Sequence, residues 1–266
     1  MSIDNIKIVT NNIDENSRNV ENSIVPIFTR NERSQLVHIG TSVYLHLDNR
    51  HFLITAGHVI DDVIEYWVPV ENGKFETIPG IESKFIICQT IDIAIIELSK
   101  SLILFTPLEL SNIYDHTKHK VLDNTLILMG FPCSKVKTKI LSSEGKLQKY
   151  ITQNSDNSEY KRLGVNRHIG IVIDFNQKQV ICPYSGIKRF PDPHGMSGGG
   201  LFWIENKGKY IKNVPTYLIG IVIEKDENNK KGIVAIKINY GLAMIAYKYN
   251  VNIPKHLIDG IKCSME

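Results

Sequence analysis

Residues 193–202 read Pro-His-Gly-Met-Ser-Gly-Gly-Gly-Leu-Phe and contain the strongest candidate nucleophile of this chain, Ser197. Ser197 lies there between glycines, and a strand-like run from Gly200 to Ile204 follows it. Glycine adopts backbone angles that other residues resist, so the stretch can turn tightly and direct several N–H groups into one concavity. An exposed serine hydroxyl beside such donors suits nucleophilic attack on an acyl carbon. The alternative is a glycine-rich surface turn without chemistry.

Two further residues could complete a nucleophilic site. His58 follows the strand-like run 51–56, where an imidazole can lie at the rim of a β core and exchange a proton near neutral pH. Asp92 interrupts the apolar run 90–98, and a carboxylate there must be hydrogen-bonded or paired. It could orient a catalytic imidazole and stabilise its charged form. The structural alternatives are a histidine hydrogen-bonded at a strand end and an aspartate that caps a strand.

Other candidate sites are weaker. His116 and His119 lie close together, but no carboxylate or cysteine pattern completes a metal site around them. His194, beside the serine, either lines the cleft or is an ordinary loop residue. We predict no metal and no cofactor. The cysteines are far apart and are expected to be reduced thiols: Cys88, Cys133, Cys182 and Cys263.

The composition is that of an ordinary soluble globular protein, because 42% of the 266 residues are hydrophobic and 22% are charged. The formal net charge is only +3, and acidic residues and asparagines dilute the lysines of residues 225–231. We therefore expect no nucleic-acid binding. The first residues lack the features of a secretory signal, and no 18-residue apolar window occurs. These features predict a cytoplasmic protein without membrane contact, and leaderless export is the alternative.

The pattern of short apolar runs predicts an all-β fold, either barrels or a sandwich. Residues 36–47 largely alternate, Asp48-Asn49-Arg50 interrupts them as a turn, and residues 51–56 resume as the second strand of a hairpin. Residues 1–23 are rich in Asn, Asp, Glu and Ser, which predicts a loosely held arm. Helix-like spacing predicts a helical end over 241–249 and 253–261. Further strand-like runs cover 63–70, 85–88, 90–98, 124–132, 139–152, 168–173, 200–204, 216–224 and 232–238.

Three segments resemble, in the same chain order, the signature segments of chymotrypsin/trypsin-like serine proteases. They are Thr55-Ala56-Gly57-His58-Val59, Asp92-Ile93-Ala94-Ile95-Ile96 and Gly195-Met196-Ser197-Gly198-Gly199. Gly40-Thr41-Ser42, ahead of the histidine strand, extends the resemblance, and the ordered set is far more specific than any one motif. It implies that His58 is the general base and acid, Asp92 its orienting partner and Ser197 the acylated nucleophile. The backbone N–H groups of Gly195 and Ser197 would form the oxyanion hole.

The resemblance also implies an architecture of two packed six-stranded Greek-key β-barrels with the site in the cleft between them. We expect a flexible arm at 1–23, a first barrel at 24–118, a second barrel at 119–240 and a C-terminal helical segment at 241–266 packed on the second barrel. Val59 and Met196 depart from secreted, zymogen-activated members, which carry a disulfide cysteine and an aspartate at these places. The sequence is closer to the Deg/HtrA-like and viral branches, although nothing in it resembles the PDZ domain of Deg proteases.

The resemblance implies a serine endopeptidase that acts through an acyl-enzyme intermediate on a protein or peptide substrate. By position, the substrate should be bordered by Asp192, His194, Ile223, Glu224 and Lys225, but no specificity is predicted. The departure from the zymogen pattern indicates another control, such as loop ordering or a regulatory protein partner. Two alternatives remain open: a non-catalytic or latent peptide-binding module, and an esterase or other acyl transferase.

Overall fold

The computed structural model describes residues 14–61, 65–70, 74–78, 85–117, 125–136, 147–175, 191–204, 214–225 and 232–261. These residues form two curled antiparallel β-sheets with few helices, so the predicted all-β class is confirmed. Strands from the first part of the chain build one sheet, and strands from the second part build the other. Over the described residues the first sheet has seven strands, one more than the six expected, and the second has six.

The first sheet carries the hairpin predicted from the sequence. Its strands, in spatial order β5-β4-β1-β2-β3-β7-β6, are β1 (Ile24–Arg30), β2 (Leu36–Leu47), β3 (Arg50–Ala56), β4 (Tyr66–Pro69), β5 (Phe75–Ile78), β6 (Phe85–Cys88) and β7 (Ile93–Leu98). Between β2 and β3, Asp48 and Asn49 have φ values of +51° and +59°. A tight two-residue hairpin turn requires this left-handed conformation, which Asp and Asn tolerate. The hairpin ends in a short helix, α2 (Gly57–Ile60).

The second sheet has apolar residues on both faces because both faces are buried. Its strands, in spatial order β10-β13-β12-β11-β8-β9, are β8 (Leu126–Gly130), β9 (Gln148–Thr152), β10 (Gly170–Asp174), β11 (Gly200–Ile204), β12 (Thr216–Lys225) and β13 (Gly232–Lys237). In β11, Leu201 and Trp203 pack into the core that this sheet encloses, whereas Phe202 and Ile204 join the core shared with the first sheet. Burial on both faces explains why this strand shows a continuous apolar run instead of alternation.

The start of the described chain differs from the loosely held arm that its polar composition predicts. Residues 14–21 form a helix, α1, which Lys149 of β9 holds against the second sheet. The side chain of Lys149 is 15% exposed, and its ammonium lies 2.6 Å from Asp14 Oδ1 and also binds the Glu21 carboxylate. Asp14 and Glu21 are thus partners of a lysine far along the chain, which no local pattern reveals. The first thirteen residues of the predicted arm lie outside the described part.

The predicted C-terminal helical segment forms α4 (Ile238–Tyr249) and α5 (Lys255–Ile258), and the helix α3 (Asn157–Arg162) precedes β10. Helix α4 contacts both sheets, although we expected it on the second barrel alone. Arg50 of β3 donates a hydrogen bond to the Tyr249 carbonyl at 2.5 Å and pairs with Glu97 of β7. At Gly241 the helix comes so close that an added Cβ would lie 2.2 Å from Ile54 Cδ1. Among the described helices, none is long and apolar enough to cross a membrane.

Candidate active site

Asp92 and His58 form a hydrogen-bonded pair at one end of the first sheet. Asp92 Oδ2 lies 2.7 Å from His58 Nδ1, and Asp92 Oδ1 accepts a hydrogen bond from the His58 backbone N–H at 2.8 Å. Because both carboxylate oxygens bind the same residue, the imidazole is fixed relative to its own backbone. A carboxylate facing Nδ1 favours the tautomer with its proton on Nδ1, so that Nε2 is the basic nitrogen of the neutral ring.

The local backbone explains how this pair forms. Asp92 has φ +54°, a left-handed conformation that aspartate tolerates, and its carbonyl accepts a hydrogen bond from Gly57 N at 2.9 Å. Gly57 is required here because an added Cβ would lie 2.8 Å from Asp92 Oδ1, in the space that the carboxylate needs. The side chains of His58 and Asp92 are 53% and 29% exposed, so the pair opens towards solvent at the rim of the sheet.

The loop that carries Ser197 is held by both sheets. Its Ser197 carbonyl accepts a hydrogen bond from Thr41 N of β2 at 2.8 Å, and Gly198 N donates to the Val222 carbonyl of β12 at 2.6 Å. Gly198 has φ +85°, and an added Cβ would lie 1.8 Å from Thr41 O, so only glycine fits. The serine loop therefore lies at the junction between the two sheets.

The same junction adjoins the end of β3 that carries His58. Thr55, near that end, donates a hydrogen bond from Oγ1 to the Thr41 carbonyl at 2.7 Å. The same Oγ1 would lie 2.1 Å from a Cβ added at Gly198, so the serine loop packs directly against this residue. This contact and the Asp92–His58 hydrogen bonds bring the three predicted segments to one end of the β2–β3 hairpin. Ser197 itself is partly exposed there.

The backbone N–H groups of Gly195 and Ser197 take no part in the described hydrogen bonds that hold the serine loop. The His194 carbonyl accepts a hydrogen bond from Cys133 N at 2.7 Å, and the Met196 carbonyl accepts one from Gly199 N at 2.8 Å. In a trans peptide the N–H is opposite the carbonyl, so the N–H groups of Gly195 and Ser197 face the other way. Neither N–H has an acceptor among the described residues. Gly195 has φ +91°, within the region that favours glycine.

A cysteine and a histidine that the sequence analysis did not select pack behind Gly195. Cys133 Sγ lies 3.3 Å from His38 Nδ1, and a Cβ added at Gly195 would lie 2.5 Å from that sulfur. Burial lowers the pKa of His38 to about 4 and raises the pKa of the Cys133 thiol. Both groups are therefore neutral at pH 7 and act as packing beside the loop. No local signal could have revealed this contact, because the two residues are 95 positions apart.

The residues expected to border a substrate lie on two sides of the serine loop. Asp192 is exposed and accepts a hydrogen bond from the backbone N–H of His194, which is also exposed. Ile223 of β12 is almost buried, and the backbones of Glu224 and Lys225 continue this strand opposite Val234 and Ile233 of β13. Their part in substrate binding stays a prediction.

A cavity of about 720 Å³ lies beside the Asp92–His58 pair. Its walls are polar and apolar in similar measure and come from both halves of the chain. They include Ile91, Asp92, Arg162, Asn166, Ile223 and Ile236. His116 lines a separate cavity of about 750 Å³, and His119 lies outside the described residues. Over the described residues, no three His, Cys, Asp or Glu side chains come together as metal ligands.

The two curled sheets with this junction between them define the trypsin-like fold of serine proteases. In particular, the chain is similar in structure to a serine endoprotease from Yersinia pestis, with a TM-score of 0.50 and 15% identity over 93% of this chain and 67% of that one. It is also similar to the HtrA-type protease AlgW with a tripeptide, with a TM-score of 0.53 and 13% identity over 90% of this chain and 64% of that one. The chain thus spans about two thirds of each.

No family model matches this sequence, and no curated protein matches it. At 13–15% identity the structural similarity establishes the fold, and the chemistry must be argued from the residues of this chain.

Proposed function

We propose that this protein is a serine endopeptidase. The proposal rests on the Asp92–His58 pair, in which both carboxylate oxygens bind one histidine. The serine loop, held by hydrogen bonds to both sheets, lies at the same end of the β2–β3 hairpin. A solvated surface histidine needs no such orientation, whereas a general base does. The trypsin-like fold gives this pair and loop the setting of a protease site.

In the proposed reaction His58 Nε2 takes the proton of the Ser197 hydroxyl as the oxygen attacks the scissile carbonyl. The resulting oxyanion accepts hydrogen bonds from the N–H groups of Gly195 and Ser197. The protonated imidazole, stabilised by Asp92, then gives its proton to the leaving amine, and the carbon–nitrogen bond breaks. Water then attacks the acyl carbon while His58 takes one of its protons. The bond between that carbon and the Ser197 oxygen breaks, His58 returns the proton to this oxygen, and the carboxylic acid product and free serine are released.

The proposed substrate is an extended peptide. On its β11 side, β12 pairs with that strand as far as Ile221 and with the serine loop at Val222. Residues 223–225 continue the strand without a strand partner on that side among the described residues. An extended segment can bind such an edge through backbone hydrogen bonds. A cytoplasmic location is part of the proposal and is supported by Cys88 and Cys133, which are free thiols.

Labelling with a fluorophosphonate probe tests the proposal, because the probe reacts only with an activated serine. We expect the native protein to be labelled and the Ser197→Ala and His58→Ala variants to lose the label. His116→Ala, which changes an exposed histidine away from this pair, serves as the control and should be labelled like the native protein. A folded native protein that stays unlabelled, also after cell lysate is added, would favour a peptide-binding module. Turnover of esters without cleavage of any peptide would favour an esterase.

A further inference from the structure

We propose that Thr41 is a positioning residue for the oxyanion hole: its hydroxyl holds the Gly195 carbonyl and so keeps the N–H groups of the serine loop directed at the substrate. This inference rests on the proposed endopeptidase function and deepens it. Thr41 acts through Gly195 and does not touch the substrate, so it differs in kind from His58, Asp92 and Ser197.

The loop needs such a constraint because Gly195, which carries one of the two proposed oxyanion donors, is a glycine with φ +91°. Glycine populates both signs of φ, so rotation at Gly195 would turn an N–H group away from the site. Zymogen-activated proteases fix this loop through a charged aspartate, but this chain has Met196 at that place. Met196 is 1% exposed and packs into the apolar core of the second sheet. The conformation of Gly195 must therefore be fixed by other contacts.

Two hydrogen bonds fix the peptide groups on either side of Gly195. Cys133 N donates to the His194 carbonyl at 2.7 Å and sets the preceding peptide, whereas Thr41 Oγ1 donates to the Gly195 carbonyl at 2.9 Å and sets the following one. The first bond comes from a backbone N–H, which almost any residue at position 133 supplies. The following peptide is also held at its N–H, because Met196 N donates to the Pro193 carbonyl at 2.8 Å. Its carbonyl is held by one side-chain hydroxyl, that of Thr41.

The surroundings of Thr41 leave that hydroxyl a single orientation. Thr41 is fully buried, and its Oγ1 accepts a hydrogen bond from Phe131 N at 3.0 Å. A hydroxyl has one proton to donate, and with the Phe131 N–H occupying an acceptor position the proton is directed to the Gly195 carbonyl. The backbone N–H of Thr41 also binds the Ser197 carbonyl at 2.8 Å. One residue of the first sheet thus holds two carbonyls of the loop.

The test compares Thr41→Val, which removes the hydroxyl at nearly constant volume, with Thr41→Ser, which keeps it. We expect Thr41→Val to lower kcat towards a peptide substrate by roughly tenfold to a hundredfold with little change in KM, because the oxyanion forms only in the transition state. This loss is smaller than the roughly 10²–10³-fold loss on removing an oxyanion donor outright, since the donors remain and only their position changes. Thr41→Ser should retain turnover within about threefold, since it keeps the donor.

Ser42→Ala is the matched control for general destabilisation. Ser42 is the next residue of β2, equally buried, and its hydroxyl donates to the Val25 carbonyl at 3.1 Å instead of to the serine loop. Its removal should lower the unfolding midpoint about as much as Thr41→Val and leave kcat unchanged. An unchanged kcat in Thr41→Val, or an equal loss of kcat in Ser42→Ala, would overturn the proposal. If Thr41→Val does not fold, Thr41→Ala takes its place, because it also lacks the hydroxyl and introduces no bulk.

Amide hydrogen exchange of the peptide covering residues 193–200 separates this inference from the proposed function. We expect faster exchange there in Thr41→Val than in the native protein and in Thr41→Ser. That result would support the positioning role even if the native protein proved inactive, in which case the endopeptidase proposal alone would fail. Unchanged exchange in Thr41→Val would refute the positioning role whatever the activity of the native protein.

Discussion

Asp92 binds His58 twice, with one carboxylate oxygen on the backbone N–H at 2.8 Å and the other on Nδ1 at 2.7 Å. The backbone bond anchors the carboxylate at the start of α2, and the ring bond then sets the direction of the imidazole. A single side chain thus fixes both the position and the tautomer of the proposed general base. The arrangement is possible because Gly57 leaves room for the carboxylate.

The first prediction concerns Asp92→Asn. The amide oxygen can still accept the backbone bond, but its NH₂ group then faces Nδ1 and favours the tautomer with the proton on Nε2. Because that nitrogen must accept the serine proton, we expect kcat to fall by about 10⁴-fold. Steady-state kinetics on a peptide substrate measures this effect. Asp156→Asn, at the cap of α3, should leave kcat unchanged, and full turnover in Asp92→Asn would contradict the role assigned to the carboxylate.

The second prediction concerns Gly195→Ala. At φ +91° an added Cβ would lie 2.5 Å from Cys133 Sγ and 2.9 Å from Cys133 N, so the loop must shift and its N–H groups must move. We expect a loss of kcat of at least about 10²-fold, as for loss of an oxyanion donor. Gly260→Ala is the control, since Gly260 also has positive φ, +75°, but nothing lies within 4 Å of its added Cβ. It should lower stability by about 1–2 kcal/mol and retain turnover, and equal kinetics in the two variants would oppose the prediction.

The third prediction concerns the attachment of α4 to the first sheet. Arg50→Ala removes the ion pair with Glu97 and the hydrogen bond to the Tyr249 carbonyl, and both acceptors are left without their cation. We expect the free energy of unfolding, measured by denaturant titration, to fall by about 2–3 kcal/mol. Lys100→Ala, which breaks an exposed ion pair with Glu76, should cost less than about 1 kcal/mol. A similar loss of unfolding free energy in both variants would mean that Arg50 does not stabilise the attachment of α4.

The fourth prediction concerns the dependence of stability on pH through His38. Burial lowers its pKa in the folded protein to about 4, whereas the unfolded chain binds a proton near the ordinary value of 6.5. The unfolded state therefore gains protons first as the pH falls, and the free energy of unfolding should decrease between pH 6.5 and about 4. The full contribution is on the order of 3 kcal/mol. Below about pH 4 this group should add no further loss.

Denaturant titrations of the native protein and His38→Gln at pH 7.5, 5.5 and 4.5 measure this contribution. The variant keeps a polar side chain of similar length that does not titrate, so its stability should fall less on acidification. Parallel pH profiles for the two proteins would show that His38 does not contribute.

Much of the fold could be predicted from the sequence because strands carry local signals. The β2–β3 hairpin alternates in hydrophobicity, and its turn contains Asp48 and Asn49, which tolerate positive φ. The apolar run 200–204 predicted a strand, and the structure has β11 there. The N-terminal helix α1 could not be predicted in this way, since its polar residues are satisfied by Lys149 of a distant strand.

The candidate site likewise combines residues that the sequence predicts with contacts that only the tertiary structure reveals. The sequence by itself determined the candidate residues, His58, Asp92 and Ser197, because each stands in a short motif that can be recognised locally. Only the tertiary structure decided how the serine loop is held, through Thr41 and Cys133. Those contacts join segments that are far apart in the chain. Such hydrogen bonds depend on how the two sheets pack, and packing between distant segments produces no periodic pattern in the sequence.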